Sequence, residues 1–104
     1  MYLAIEVQAR PQIKAAIAHV MKDMTPAVQR ITYEVKQDWT GEWAIFFQVL
    51  LSDEASERDN LRVVAPKVVD RIWDKIDFPN LGMFAYVSFR SQSEQAQMND
   101  PAWA

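Results

Sequence analysis

Four carboxylates crowd one short segment: Asp53, Glu54, Glu57 and Asp59. Closely spaced oxygen ligands suit a hard divalent cation, but the regular odd-position order and the glycine of an EF-hand loop are missing. The same residues serve equally to cap and solvate a helix start, because carboxylates favour the positive end of the helix dipole. We adopt that reading. Asp38 and Glu42 fall at the other end of a hairpin and cannot join them. His19 is the only histidine. An imidazole titrates near neutrality and is a natural general base. Here Lys22 and Asp23 supply no recognisable metal-ligand spacing around it, and it reads as a boundary residue beside the apolar face of a helix. Trp39 and Trp43 flank Thr40-Gly41-Glu42. They form either an aromatic cross-strand pair or a clamp for a small ligand.

Other chemistries are excluded by composition. With only Gly41 and Gly82 the chain builds no glycine-rich phosphate loop or dinucleotide turn. Neither glycine brackets a serine, so there is no nucleophile elbow. Without cysteine there is no thiolate, disulfide or Cys-based zinc site. No catalytic, metal-binding or cofactor-binding residue is assigned, and the balance leans against an enzyme. The net charge of −3 gives no global attraction for nucleic acid or anionic lipid. No apolar run approaches the ~20 residues of a membrane span. The start lacks a basic segment followed by an apolar one, so no signal peptide is read. A cytoplasmic protein is expected, and residues 1–104 are read as one domain.

Several elements must position these residues. Ile31, Tyr33 and Val35 alternate with Arg30, Thr32, Glu34 and Lys36, the period of a half-buried strand. Trp43 to Leu51 is apolar on odd positions and carries Phe46 and Leu50 on even ones. Gly41 supplies the positive φ of a three-residue hairpin loop. In that register Trp39 faces Trp43 and Lys36 faces Phe46. Ile13, Ile17, Val20 and Met24 mark one helix face, ended by Thr25-Pro26. Leu61, Val64, Val68, Ile72 and Ile76 mark a second, with Ser56 or Asn60 as N-cap and Pro66 predicting a kink or a start near residue 65. Phe78 to Gly82 reads as a loop, Met83 to Phe89 as a last strand, and Ser91 to Met98 as a short polar helix or coil. Leu3, Ile5, Val7 and Ala9 form either a first strand or the opening of a longer helix. The expected fold is an α+β two-layer sandwich of (β)αββαβ order, with helices on one face of an antiparallel sheet. It is ferredoxin-like if the first strand is real.

Phe84-Ala85-Tyr86-Val87-Ser88-Phe89 resembles the core of the RNP1 signature of RNA-recognition motifs, whose strand aromatics stack on bases. That family places this strand third, with a helix and a fourth strand to follow. It also sets its basic residue and glycine directly before the first aromatic, whereas Met83 separates Gly82 from Phe84. Together with the acidic charge, this makes the segment an ordinary aromatic-rich strand. Asp38-Trp39-Thr40-Gly41-Glu42, Ala44-Ile45-Phe46-Phe47, Ser52-Asp53-Glu54-Ala55, Phe89-Arg90-Ser91 and Ser93-Glu94-Gln95-Ala96 are similar to segments of small stand-alone bacterial proteins of unassigned role. That resemblance implies a self-contained bacterial domain and no known reaction.

The functional expectation is association. Phe46 and Leu50 lie on the sheet face away from the helices, and Phe84 with Tyr86 is one of two sets that can join them from the last strand. Aromatic side chains on an otherwise polar face are enriched at interfaces, and two-fold self-pairing is the commonest way to cover them. The expected protein is a homodimer without cofactor. The rival readings are a ligand-binding or enzymatic domain with a pocket between sheet and helices, and a single-stranded nucleic-acid binder using Phe84 and Tyr86.

Overall fold

The first helix, α1 (Tyr2–Met24), takes in residues 3–9, one of whose two readings was a strand. The computed structural model describes the backbone of residues 2–103 and the side chains of 7–101 and 103. Ala9, Ile13, Ala16, Val20 and Met24 are all buried, and their steps of four, three, four and four trace one helix stripe. Pro11 lies inside the helix rather than in its first turn. After a cis Thr25–Pro26 bond come β1 (Val28–Gln37) and β2 (Trp43–Leu51), paired antiparallel.

The hairpin register differs from the expected one by two residues. Gln37 pairs with Trp43 and Glu34 with Phe46, so the loop runs from Asp38 to Glu42. The cause is the Asp38 side chain. Its Oδ1 accepts from the Thr40 amide at 2.9 Å, the Thr40 hydroxyl at 2.6 Å and the Glu42 amide at 3.2 Å. An Asx turn of this kind offers the backbone an alternative to the ladder. A shift of two preserves the side-chain alternation, so no strand residue changes face. Trp39 leaves the strand altogether and does not face Trp43.

Beyond the turn at Ser52–Ser56 comes α2 (Arg58–Lys75), which runs through Pro66 and begins well before residue 65. Its N-cap is Glu57, with no side-chain cap bond; neither Ser56 nor Asn60 holds that place. Ser56 instead donates its hydroxyl to the Ser52 carbonyl. The expected loop at residues 78–82 contains a one-turn helix, α3 (Phe78–Leu81), capped by Asp77 and closed by Gly82 in the left-handed region at φ 67°. The chain ends with β3 (Phe84–Ser91), α4 (Gln92–Met98) and a 3-10 turn at Pro101–Trp103.

The protein is α+β with a mixed three-stranded sheet of order β1-β2-β3. The expected antiparallel sheet is corrected at β3, which pairs parallel to β2. A helical crossover returns the chain to the end of the sheet where the previous strand began, and that produces parallel neighbours. With residues 3–9 helical, the ferredoxin-like order is not confirmed, and the sheet elements follow α1 as αββαβ. Ile31, Val35, Ile45, Phe47, Val49 and Leu51 join the α1 stripe, Val68 and Ile72 in one buried cluster. Tyr33, Trp43, Ala85, Val87 and Phe89 pack against it. These strand residues are odd-numbered, and even-numbered Val28 joins the same cluster from beyond the irregularity at Val28/Arg30, so from Arg30 onward the even-numbered residues form the opposite face.

Candidate functional site

That opposite face divides into two halves. At the hairpin end, Phe46 pairs in register with Tyr86, and Ala44 with Phe84. The Phe46 and Tyr86 rings stack with centroids 5.0 Å apart. The Trp39 ring leans on Tyr86 from the loop, at 5.3 Å and 51°. Lys36 places its ammonium 4.8 Å from the Phe46 centroid and pairs with Glu34 at 3.3 Å. Trp39 is 80% exposed and Phe84 59%. The result is an aromatic surface, fixed from below, with charges of both signs around it.

Asp38 ties the loop to this surface. Its Oδ2 accepts from the Tyr86 hydroxyl at 2.8 Å. The Thr40 hydroxyl, then Tyr86 and the Thr40 and Glu42 amides, hold the Asp38 carboxyl below its usual range against some desolvation. The same bond, with burial and the charge of Asp38, pushes the Tyr86 phenol up.

At the other end, the face is covered. Leu50 stands in register with Arg30 and Arg90, and both arginines hold the C-terminal turn. Arg30 donates to the Trp103 carbonyl at 2.9 Å. The Arg90 guanidinium lies 4.3 Å from the Trp103 ring centroid, and Arg90 also bonds Gln95 Oε1 at 2.9 Å and pairs with Asp100 at 3.5 Å. Leu50 is only 8% exposed and Trp103 only 7%. Of the expected interface residues, the structure therefore brings Phe46, Phe84 and Tyr86 into one open patch and places Leu50 at the covered end. Trp39 joins the patch. Trp43 lies on the helix side, against the core.

The remaining candidates are structural. Asp53 accepts from the amide and hydroxyl of Ser93, and Ser93 first by its hydroxyl, then by its amide, keeps the Asp53 carboxyl low. Ser91 and Glu94 form a reciprocal capping box on α4, which lowers Glu94 chiefly through the Ser91 amide. His19 sits 3.7 Å from Asp23, which also pairs with Arg71 at 3.2 Å. Among the described residues no three His, Cys, Asp or Glu side chains gather as a metal site. No described helix is long and apolar enough to cross a membrane.

The lowered carboxylates set a pH dependence. A carboxyl whose folded pKa is depressed stabilises the fold at pH values above its unfolded pKa. That contribution is lost as pH falls through the folded value. Asp38, Asp53 and Glu94 all have this sign. The urea midpoint should hold steady down to about pH 4, the ordinary carboxylate range, and then decline. Asp38→Asn should shrink the decline; a decline as steep in Asp38→Asn as in the wild type would remove Asp38 from the account.

Clefts also open elsewhere among the described residues, and two of them are sizeable. One, of about 380 Å³, is lined by Pro26, Ala27, Ser52, Glu54, Ala55 and Val64, among others. The other, of about 680 Å³, lies between the last turn of α2, α3, the start of β3 and the hairpin loop. Its sequence signal was Trp73, a bulky apolar residue off the Val68/Ile72/Ile76 stripe. Compared with known protein families, curated proteins and solved structures, the chain matches none.

Proposed function

We propose that this chain is a non-catalytic interaction module whose copies pair through the aromatic half of the open sheet face. The observation that carries the reading is the aromatic cluster on the side of the sheet away from the helices, in which Trp39 and Phe84 are exposed and the stacked Phe46 and Tyr86 are half-buried. The layout is a two-layer α+β sandwich whose second sheet face is open to a partner at its aromatic half. Tyr and Trp held in place beforehand bring large contact area at little entropic cost, and such residues dominate interface energetics. Lys36, Glu34 and Asp38 border the cluster. A patch carrying both signs can oppose its own image across a two-fold axis. The same carboxylates repel phosphates, which disfavours nucleic acid as the occupant.

Light scattering at high micromolar concentration should give twice the mass of one chain. Trp39→Glu/Phe84→Glu should give a single chain with the circular dichroism spectrum of the wild type, because both side chains are largely exposed. A wild-type monomer would sink the proposal, and so would a double variant that stays dimeric. Saturable binding of single-stranded RNA at low salt, lost in Phe84→Ala/Tyr86→Ala, would replace it by the nucleic-acid reading.

A further inference from the structure

The larger cleft has a composition that selects its ligand. Trp73, Phe78, Pro79, Met83 and Phe84 give it apolar and aromatic walls, and among the described residues Glu42 is the only charged one that lines it. Its volume of about 680 Å³ lies within the range of roughly 300–1,000 Å³ typical of small-molecule sites. Trp73 and Phe78 meet edge to face with centroids 4.0 Å apart, so Phe78, itself buried, fixes the indole while Trp73 stays 47% exposed. The aromatic wall is thus held in place and still accessible.

Two features give the cleft a negative character. Glu42 sits at the hairpin end, its backbone fixed by Asp38 on both sides: the Glu42 amide donates to the Asp38 carboxylate, and the Glu42 carbonyl accepts from the Asp38 amide at 2.8 Å. Its carboxylate has no ion-pair partner among the described residues. The cleft also borders the last turn of α2, where the helix dipole presents its negative pole. Lys75 occupies that turn but does not line the cleft. Aromatic faces beside a carboxylate attract organic cations through the ring quadrupole and the charge together.

We propose that this cleft binds a small organic monocation with an apolar body, an alkyl- or arylammonium, with its ammonium toward Glu42 and its body against Trp73 and Phe84. The site is distinct from the pairing surface, although Phe84 borders both.

The test is a two-dimensional NMR titration of the whole chain with phenylethylammonium and, in parallel, with phenylpropionate, which has the same body and the opposite charge. The ammonium should shift the Gly82 and Phe84 amides and the Trp73 indole N–H saturably, with a Kd of about 1 mM for so small a probe. Glu42→Gln should weaken it about fivefold, the scale of one partly exposed charge pair. Trp73→Ala should abolish the shifts; if that variant loses its native amide spectrum, Glu42→Gln decides. Equal responses to both probes, or no saturable shift at Gly82 and Trp73, would overturn the proposal. Shifts confined to Trp39 and Phe46 would also overturn it and place ligand binding on the sheet face.

Discussion

Ile72→Ala will cost about 2–5 kcal/mol, the range for truncating a fully buried aliphatic side chain. Ile72 is completely buried and belongs to the cluster shared by α1, α2 and the sheet. Its helix cannot sustain itself. Pro66 lies well inside α2, removing one backbone donor and crowding the preceding turn, a penalty of roughly 3 kcal/mol. What holds α2 helical through that point is the packing of Val68 and Ile72 below it. A domain of this size has only about 5–15 kcal/mol in total. The urea midpoint should therefore fall sharply with little change in slope, whereas Lys75→Ala, on the exposed side, should leave it in place. An unmoved midpoint in Ile72→Ala would mean that α2 does not rest on this core.

Arg90→Ala will release the C-terminal turn. One guanidinium there stacks on Trp103, bonds Gln95 and pairs with Asp100. Removing it leaves Arg30 as the remaining bond from the sheet to Trp103. Hydrogen bonds to charged groups contribute roughly 1.5–3 kcal/mol, enough to shift a short segment from mostly docked to mostly free. The Trp103 indole N–H should then exchange readily with solvent, and protease should cut between residues 98 and 103. Arg90→Lys should fall between, since it keeps the charge and loses the planar stacking surface. A Trp103 indole as protected in Arg90→Ala as in the wild type would refute the part given to Arg90 in holding the C-terminal turn.

Much of this architecture is legible in the residues. The strict alternation of Ile31, Tyr33 and Val35 with charged neighbours sorts the two sheet faces, and the same parity puts Phe46 opposite the core. What periodicity does not carry is the loop chemistry. Asp38 folds its side chain back onto Thr40 and Glu42, which lengthens the loop and frees Trp39 to cross to the other face. At the N-terminus, Leu3, Ile5 and Val7 suggested alternation, while the deciding stripe was built partly on Ala9 and Ala16, which are too small to stand out. The covered half of the sheet depends on a contact between Arg30 and Trp103, 73 residues apart, for which no local pattern exists. The cleft at Trp73 is assembled from four separate elements. Only the odd placement of that tryptophan on its helix hinted at it.

The pairing surface can be watched directly, because its most exposed aromatic residue is a tryptophan. With fluorotryptophan incorporated throughout, a fluorine NMR dilution series reports Trp39, Trp43, Trp73 and Trp103 separately. Pairing through the aromatic half of the sheet predicts that the Trp39 resonance moves on dilution in step with the fall in mass from two chains to one, while Trp73 and Trp103 hold still. A Trp39 resonance that stays fixed while the mass halves, or a mass of one chain at every concentration, would contradict it.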